Sequence, residues 1–331
     1  MFMWNYIPMP LLSILIPVYN ADGYLRRCLD CIVCQKGFGE DVEIVVVNDG
    51  SKDRSLDIIK DYGTRYANIR WSTRENHGIG YTRNELIDKA WGRFIWFVDA
   101  DDYISSDALP VIMPLLGEGR YDMLMFAFNW ITANSSHTVH CSGDYASGLE
   151  MAEHDVYNNS LWTRIYRRSV ITGNNIRFQS LQMGEDFDVI FRLIPHLGRC
   201  LCIDKPLYNY VVSPNSAITS KEPSHVMRSS EDSLLCIEGN FKYLARWDNA
   251  AQTVLRKPLN FFLMGFLYSL YVEAFPLRYK FGVMKRLRLM GALPVSPLPN
   301  NRRQRIFSRI INIPLLRCLS LLADKIYLSL R

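Results

Sequence analysis

Residues 94–98 read FIWFV and are followed at once by Asp99-Ala100-Asp101-Asp102. An apolar run this short, closed by a polar turn, fits a strand buried on both faces, and two earlier runs repeat it: LLSILIPV at 11–18 and VEIVVV at 42–47. Between these runs, residues 24–35, 55–66 and 82–90 carry apolar side chains at helical spacing. The alternation predicts an α/β fold: a mainly parallel sheet with right-handed crossovers and helices on both faces. Ligands then gather outside the carboxyl ends of the strands. Those ends are polar and turn-forming: Pro17-Val18-Tyr19-Asn20, Asn48-Asp49-Gly50-Ser51, and Asp99 to Asp102. A further strand is expected over 121–130 (YDMLMFAFNW). The pattern is mixed from there to about 218 and helical from about 222.

At 331 residues, the chain allows roughly two domains of about 150 residues each. Its 49% hydrophobic and 21% charged residues match globular averages and exclude a disordered or fibrous chain. The net charge of +5 is too weak to argue for nucleic acid as a partner. Much of it lies near the C-terminus, where Arg278, Lys280, Lys285, Arg286, Arg288, Arg302, Arg303, Arg305, Arg309, Arg317, Lys325 and Arg331 face one acid, Asp324. Pro294, Pro297 and Pro299 divide this region into separate helices. Residues 306–322 have the pattern of a helix lying in the plane of an anionic membrane; packing on the core or a dimer contact is the alternative. The apolar stretch 259–272 falls short of the roughly 18–20 residues of a spanning helix, so no transmembrane segment is expected. No signal-peptide pattern precedes residue 10, and the eight cysteines fit no disulfide framework, which points to a reducing cytoplasm.

Three carboxylates within four residues repel one another, and the arrangement is tolerated only where a cation or a donor-rich partner neutralises them. Hard oxygen ligands favour Mg²⁺ or Mn²⁺, which bridge to substrate phosphates when the protein supplies few carboxylates. A solvated acidic turn is the plainer alternative. Asp49 can accept a hydrogen bond from a ring N–H or serve as an Asx-turn residue.

The segment 11–107 resembles the family 2 glycosyltransferases of the GT-A fold. The resemblance is carried by Pro17-Val18-Tyr19-Asn20, the N-D-G-S-x-D turn from Asn48 to Asp53, Asn76-x-Gly78 with Arg83-Asn84, and Asp99-x-Asp101-Asp102. Weaker echoes follow in Leu161-Trp162-Thr163-Arg164-Ile165-Tyr166, Gly184-Glu185-Asp186, and Leu207-Tyr208-Asn209-Tyr210 with Ser216. This implies a Rossmann-like GT-A catalytic domain over 1–220; the helical, basic region over 221–331 lies beyond the resemblance, and its membrane-surface attachment is expected from the charge pattern alone.

The implied activity is metal-dependent, inverting transfer of a hexose-type sugar from a nucleotide-sugar donor to a hydroxyl of a glycan or lipid-linked acceptor. It would serve cell-surface polysaccharide synthesis at the cytoplasmic face of the membrane. By the resemblance, Pro17, Tyr19 and Asn20 contact the nucleotide and Asp49 its base, while Arg83 either aids the diphosphate or makes a structural ion pair. Asp101 is the first ligand for Mn²⁺ or Mg²⁺, Asp99 either faces the ribose or an ordered network or joins Asp101 on the ion, and Asp102 either shares the ion or orients the acceptor. Trp162 stacks on a sugar or lies in the core, and Arg164 stands where the family often has Lys, near phosphate or acceptor. Asp186 is the general base, with Glu185 and Asp188 as rivals. Glu185 and Asp186 also suit the first turn of a helix.

Other motifs are set aside. Gly78-Ile79-Gly80-Tyr81-Thr82-Arg83 lacks the third glycine of a dinucleotide fingerprint. Cys28, Cys31 and Cys34 share a helical face and have no second pair for zinc, and His137, His140 and Cys141 lack a fourth ligand. A sugar-phosphate nucleotidyltransferase would need a Gly-rich basic loop after the first strand, which PVYNADGY does not supply. The remaining alternative, an inactive glycan- or membrane-binding module, is opposed by the retained Asp49, Asp101 and Asp186.

Overall fold

The computed structural model describes residues 9–156, 158–212, 222–296 and 302–314. Its strands are β1 (Leu12–Val18), β2 (Val42–Asn48), β3 (Ile69–Thr73), β4 (Phe94–Phe97), β5 (Tyr103–Ile104), β6 (Met123–Ile131), β7 (Ser136–Val139), β8 (Gly143–Tyr145), β9 (Arg164–Arg167) and β10 (Cys200–Val211). The helices are α1 (Leu25–Val33), α2 (Ser55–Arg65), α3 (Ile79–Lys89), α4 (Ala108–Glu118), α5 (Gly148–Glu153), α6 (Arg168–Gly173), α7 (Glu185–Leu193), α8 (Pro223–Leu244), α9 (Asn249–Val272), α10 (Leu277–Leu289) and α11 (Arg302–Asn312). The chain divides into two compact units. The first is Met1–Met151, Ser160–Ser180 and Pro195–Thr219; the second is Ala152–Asn159, Leu181–Ile194 and Ser220–Arg331.

The first unit is built on one sheet in the order β3-β2-β1-β4-β9-β6-β10-β5, with β7 on β6 and β8 on β10. The three quoted runs form its centre, β1 pairing in parallel with β2 and with β4. The sheet is mixed, because β9 runs antiparallel between β4 and β6. Two reversals restore direction, so β6 and its parallel partner β10 point the same way as β4. The carboxyl ends of β1, β2, β3, β4, β6 and β10 therefore share one edge.

Side chains alternate across each strand. Leu12, Ile14 and Ile16 of β1 join Ile44 and Val46 of β2 in a cluster with α1, α2 and α4. Leu15, Val45 and Val47 are buried on the other face, where α3 crosses β1 and β2.

In the second unit, Asp248 caps α9 by accepting from the Ala251 N–H at 2.8 Å, and Phe187 of α7 stacks on Phe262 of α9 at 4.3 Å. The apolar stretch 259–272 lies in α9 and buries Leu259, Leu263, Leu267 and Leu270. No helix among the described residues is long and apolar enough to cross a membrane. Ser216 and residues 315–331, with Arg317, Lys325 and Arg331, lie outside the described residues.

At the amino edge of the sheet, buried Glu43 binds β1, β3 and the turn before β4 together. Its Oε1 accepts from Ser13 Oγ at 2.5 Å and the Trp91 N–H at 2.6 Å, and its Oε2 accepts from Arg70 Nη2 at 2.8 Å. Removing this carboxylate strands several buried donors. Glu43→Ala should cost about 3–5 kcal/mol in denaturant unfolding, with the native fold retained in the remaining folded fraction.

Candidate active site

The loop leaving β1 is clasped to the loop leaving β2 by backbone and side-chain pairs. The Asn20 N–H donates to Ser51 Oγ at 2.9 Å, and Asn20 Oδ1 accepts from the Lys52 N–H at 2.8 Å. The Asp22 N–H donates to Asp53 Oδ2 at 2.9 Å, and Asp22 Oδ2 accepts from the Arg54 N–H at 3.3 Å. Asn20 sits in the left-handed region at φ 50°, which asparagine tolerates better than most residues. Pro17 is buried in β1 opposite Val47, while Tyr19 stands 54% exposed just beyond the strand.

Asn48 performs the local turn work: its Oδ1 accepts from Ser51 Oγ and its Nδ2 donates to Thr73 Oγ1 at 2.9 Å. Asp49 is turned to other partners. Its carboxylate accepts from the His77 N–H at 2.8 Å, the Gly78 N–H at 3.0 Å and the Arg74 guanidinium. Arg74 is held in turn by Glu85 at 2.8 Å and by Thr82 Oγ1 at 2.8 Å, and it lies 4.6 Å from the Tyr81 ring centroid. Gly50 makes this approach possible. It has φ 74°, and a Cβ there would come within 2.7 Å of the Asn76 nitrogen.

The three acids after β4 have three different surroundings. Asp99 lies 3.4 Å from the guanidinium of Arg83, which is itself buried on α3. Asp102 is buried beneath β10, where its Oδ2 accepts from the Tyr208 hydroxyl at 2.8 Å and its Oδ1 from the Val211 N–H at 2.7 Å. Burial, reinforced by the charges of Asp99 and Asp101, pushes the Asp102 pKa up to about 8. Asp101 is half-buried, and burial raises its pKa as well. Its backbone carbonyl accepts from Arg27 at 2.5 Å, but its carboxylate receives no hydrogen bond from another described residue.

Among the described residues, no group of three His, Cys, Asp or Glu side chains could cage an ion without help. A single open carboxylate beside Asp99 is the sparse donor set that Mg²⁺ or Mn²⁺ uses when substrate phosphates complete its shell, so these residues fit such an ion.

Trp162 is only 5% exposed, stacked on Tyr208 at 4.4 Å and on Tyr210 at 5.3 Å. Arg164 is 1% exposed, and its Nη1 donates to the Ser160 carbonyl at 2.7 Å and to Thr163 Oγ1 at 3.0 Å, bracing the turn that enters β9.

In the second unit, Gly184 at φ 85° opens α7, and Glu185 and Asp186 are half-buried in its first turn. Asp188 is fully buried against Arg192 and Asn240, which makes it a packing residue.

Arg74, Tyr208 and the Val211 N–H were not singled out by the sequence reading. Tyr208 stood inside a noted motif, but nothing in the sequence tied it to Asp102. The two acids should separate by stability. Tyr208→Phe strips a donor from Asp102 and an acceptor from the Asp99 N–H, and should cost about 1–3 kcal/mol in thermal or urea unfolding. Asp101→Asn should leave stability unchanged or raise it.

A family model described as Glycosyl transferase family 2 matches residues 13–183. EpsJ of Bacillus subtilis (strain 168), named an uncharacterized glycosyltransferase, is 30% identical over 217 residues, which cover 62% of this chain and 62% of that protein. The chain thus spans under two thirds of that relative. TarS of Staphylococcus aureus, named a poly(ribitol-phosphate) beta-N-acetylglucosaminyltransferase, is 26% identical over 65% of this chain and 36% of its own. The crystal structure of TarS 1-349 in complex with UDP superposes with a TM-score of 0.70 at 22% identity, covering 95% of this chain and 87% of that one. The mannosyltransferase PcManGT from Pyrobaculum calidifontis, solved with GDP-Man and Mn²⁺, gives 0.51 at 13% identity over 96% and 87%. The sheet edge, the clasped loops and the family match agree: this chain belongs to glycosyl transferase family 2 and has the GT-A fold.

Proposed function

We propose that this protein transfers a sugar from a nucleoside diphosphate donor to a hydroxyl of a cell-surface polymer or its lipid-linked precursor, with inversion. The carrying observation is the contrast at one sheet edge between Asp49, fixed by three donors, and Asp101, whose carboxylate is left open. Asp49 offers the base of the nucleotide a preset acceptor, and Arg83 beside Asp99 supplies positive charge for the diphosphate. Asp101, aided by Asp99, would hold Mn²⁺ or Mg²⁺. When bound, the ion supplies charge stabilisation to the departing diphosphate. TarS, of the same fold, is solved with UDP, and its name supports a polymer as acceptor. Asp186 is the proposed base, because it is a half-buried carboxylate in the first turn of α7, a residue type that can take a hydroxyl proton. Glu185 is its neighbour in the same turn.

We further propose peripheral contact with an anionic membrane. No Asp or Glu occurs between Glu273 and Asp324. The exposed stripe of α10 combines Arg278, Lys285 and Arg288 with Phe281 at 40% exposure and Leu289 at 77%. Cations beside apolar side chains on one helix face suit the headgroup boundary of an anionic leaflet.

Two outcomes check these readings. A saturating donor with Mn²⁺ should raise stability by RT ln(1 + [L]/Kd), about 2.7 kcal/mol at a hundredfold excess over Kd. Asp186→Asn should keep that shift and lose transfer by at least about a hundredfold. Absence of a shift with UDP, GDP and their sugar forms would remove the donor reading. The second outcome concerns the membrane: the wild type should co-sediment with phosphatidylglycerol vesicles but not with phosphatidylcholine vesicles, and the double variant Phe281→Glu, Leu289→Glu should stay in the supernatant. Equal pelleting of the two proteins would refute contact through α10.

A further inference from the structure

The packing of Trp162 directs attention to the rings beside it. β10 and β6 pair so that Tyr208 lies opposite Phe128 and Tyr210 opposite Trp130, and β6 and β7 pair so that Phe128 lies opposite Val139 and Trp130 opposite His137. Two rows of side chains therefore cross the same face of the sheet, one register step apart. The inner row is core: Tyr208 and Phe128 are buried, and Trp162 caps both, edge-on to Phe128 at 4.7 Å. The outer row opens to solvent, with Tyr210 and Trp130 half-buried and His137 exposed. Tyr210 and Trp130 meet at 4.8 Å and 55°, and Trp130 and His137 stack at 6.3 Å and 23°.

This outer row is joined directly to the acidic edge. Tyr210 precedes Val211, whose N–H holds Asp102, and both strands end on the edge that carries Asp101. The Tyr210 hydroxyl is pushed up to about 12 by burial and then by the charges of Asp102, Asp101 and Asp99, which agrees with its position beside them. Neither the Tyr210 hydroxyl nor the Trp130 indole N–H hydrogen-bonds another described residue. Trp130 and Tyr210 are thus adjacent half-buried rings whose polar tips no described residue engages. Each offers a negative π face for the C–H face of a pyranose and a polar atom for one of its hydroxyls.

We infer that Trp130 and Tyr210, flanked by His137 and backed by Trp162, form the platform on which a pyranose ring of the acceptor stacks next to the donor site. This rests on the proposed transferase reading and assigns it an acceptor-binding surface. Trp162 acts on the platform as a positioning residue, holding Tyr210 by its ring face.

The test uses the full-length protein with UDP and Mn²⁺, and p-nitrophenyl glycosides of glucose, galactose and N-acetylglucosamine as probes. Saturation-transfer NMR reads glycoside binding, and the UDP-induced thermal shift reads the donor site in the same samples. The wild type should bind at least one glycoside. Trp130→Ala should weaken that binding at least tenfold and keep the UDP shift, while Trp130→Phe should restore most of it. With a natural acceptor in hand, the same loss should fall on acceptor KM. If neither UDP nor GDP, nor a sugar form of either, shifts the wild type, the donor reading fails. If the UDP shift is present but no glycoside binds, or if Trp130→Ala binds as the wild type does, the platform is overturned.

Discussion

The buried Asp102 carboxylate, held between the Tyr208 hydroxyl and the Val211 N–H, is the constraint on which the rest of the site depends. Three acids in four residues cannot all face one small volume as free charges. The fold separates them: one is buried and tied to a strand, one lies beside a guanidinium, and Asp101 is left open. The same tie fixes the turn after β4 to the end of β10, so the acidic edge and the aromatic row of β10 and β6 are held in register. A mixed sheet makes this possible, because antiparallel β9 lets a second pair of parallel strands finish on the edge where β1, β2 and β4 finish.

Much of the fold was legible because its central strands are apolar runs too short for helices, with turn residues at their ends. The sequence was less clear where strands are half-polar. β3, with the sequence IRWST, buries only Ile69 and leaves its other side chains half-buried or exposed. β10 breaks its apolar run with Asp204, Lys205 and Pro206 and shifts register there. The placement of Asp49 and Asp101 just beyond β2 and β4 followed from residue type and spacing. The separate role of Asp102 did not, because its partners lie 106 and 109 residues away in sequence and only the folded sheet joins them. Arg74 was hidden for a similar reason: its value comes from a side-chain network with Asp49, Thr82 and Glu85 that no spacing rule encodes. Trp162 was ambiguous by composition, and its burial beneath two tyrosines resolved the packing question in favour of the core.

The second unit carries a different kind of information. Within one helical turn of α7, Asp188 is consumed by Arg192 and Asn240, while Glu185 and Asp186 stay half-buried at the helix start. Position within the turn, more than acid identity, sorts a packing carboxylate from candidates for proton transfer. The basic C-terminal region divides in the same way: Arg286 pairs with Glu238 and Glu231, whereas the outward stripe of α10 has no acids.

The central claim is that the protein supplies only a partial ion site, centred on Asp101, which a nucleoside diphosphate completes. Electron paramagnetic resonance of Mn²⁺ titrated into the protein, with and without UDP, tests it most directly. The account predicts tight Mn²⁺ uptake only when UDP is present, and its loss in Asp101→Asn. Equally tight uptake without nucleotide, or uptake that survives Asp101→Asn, would contradict it.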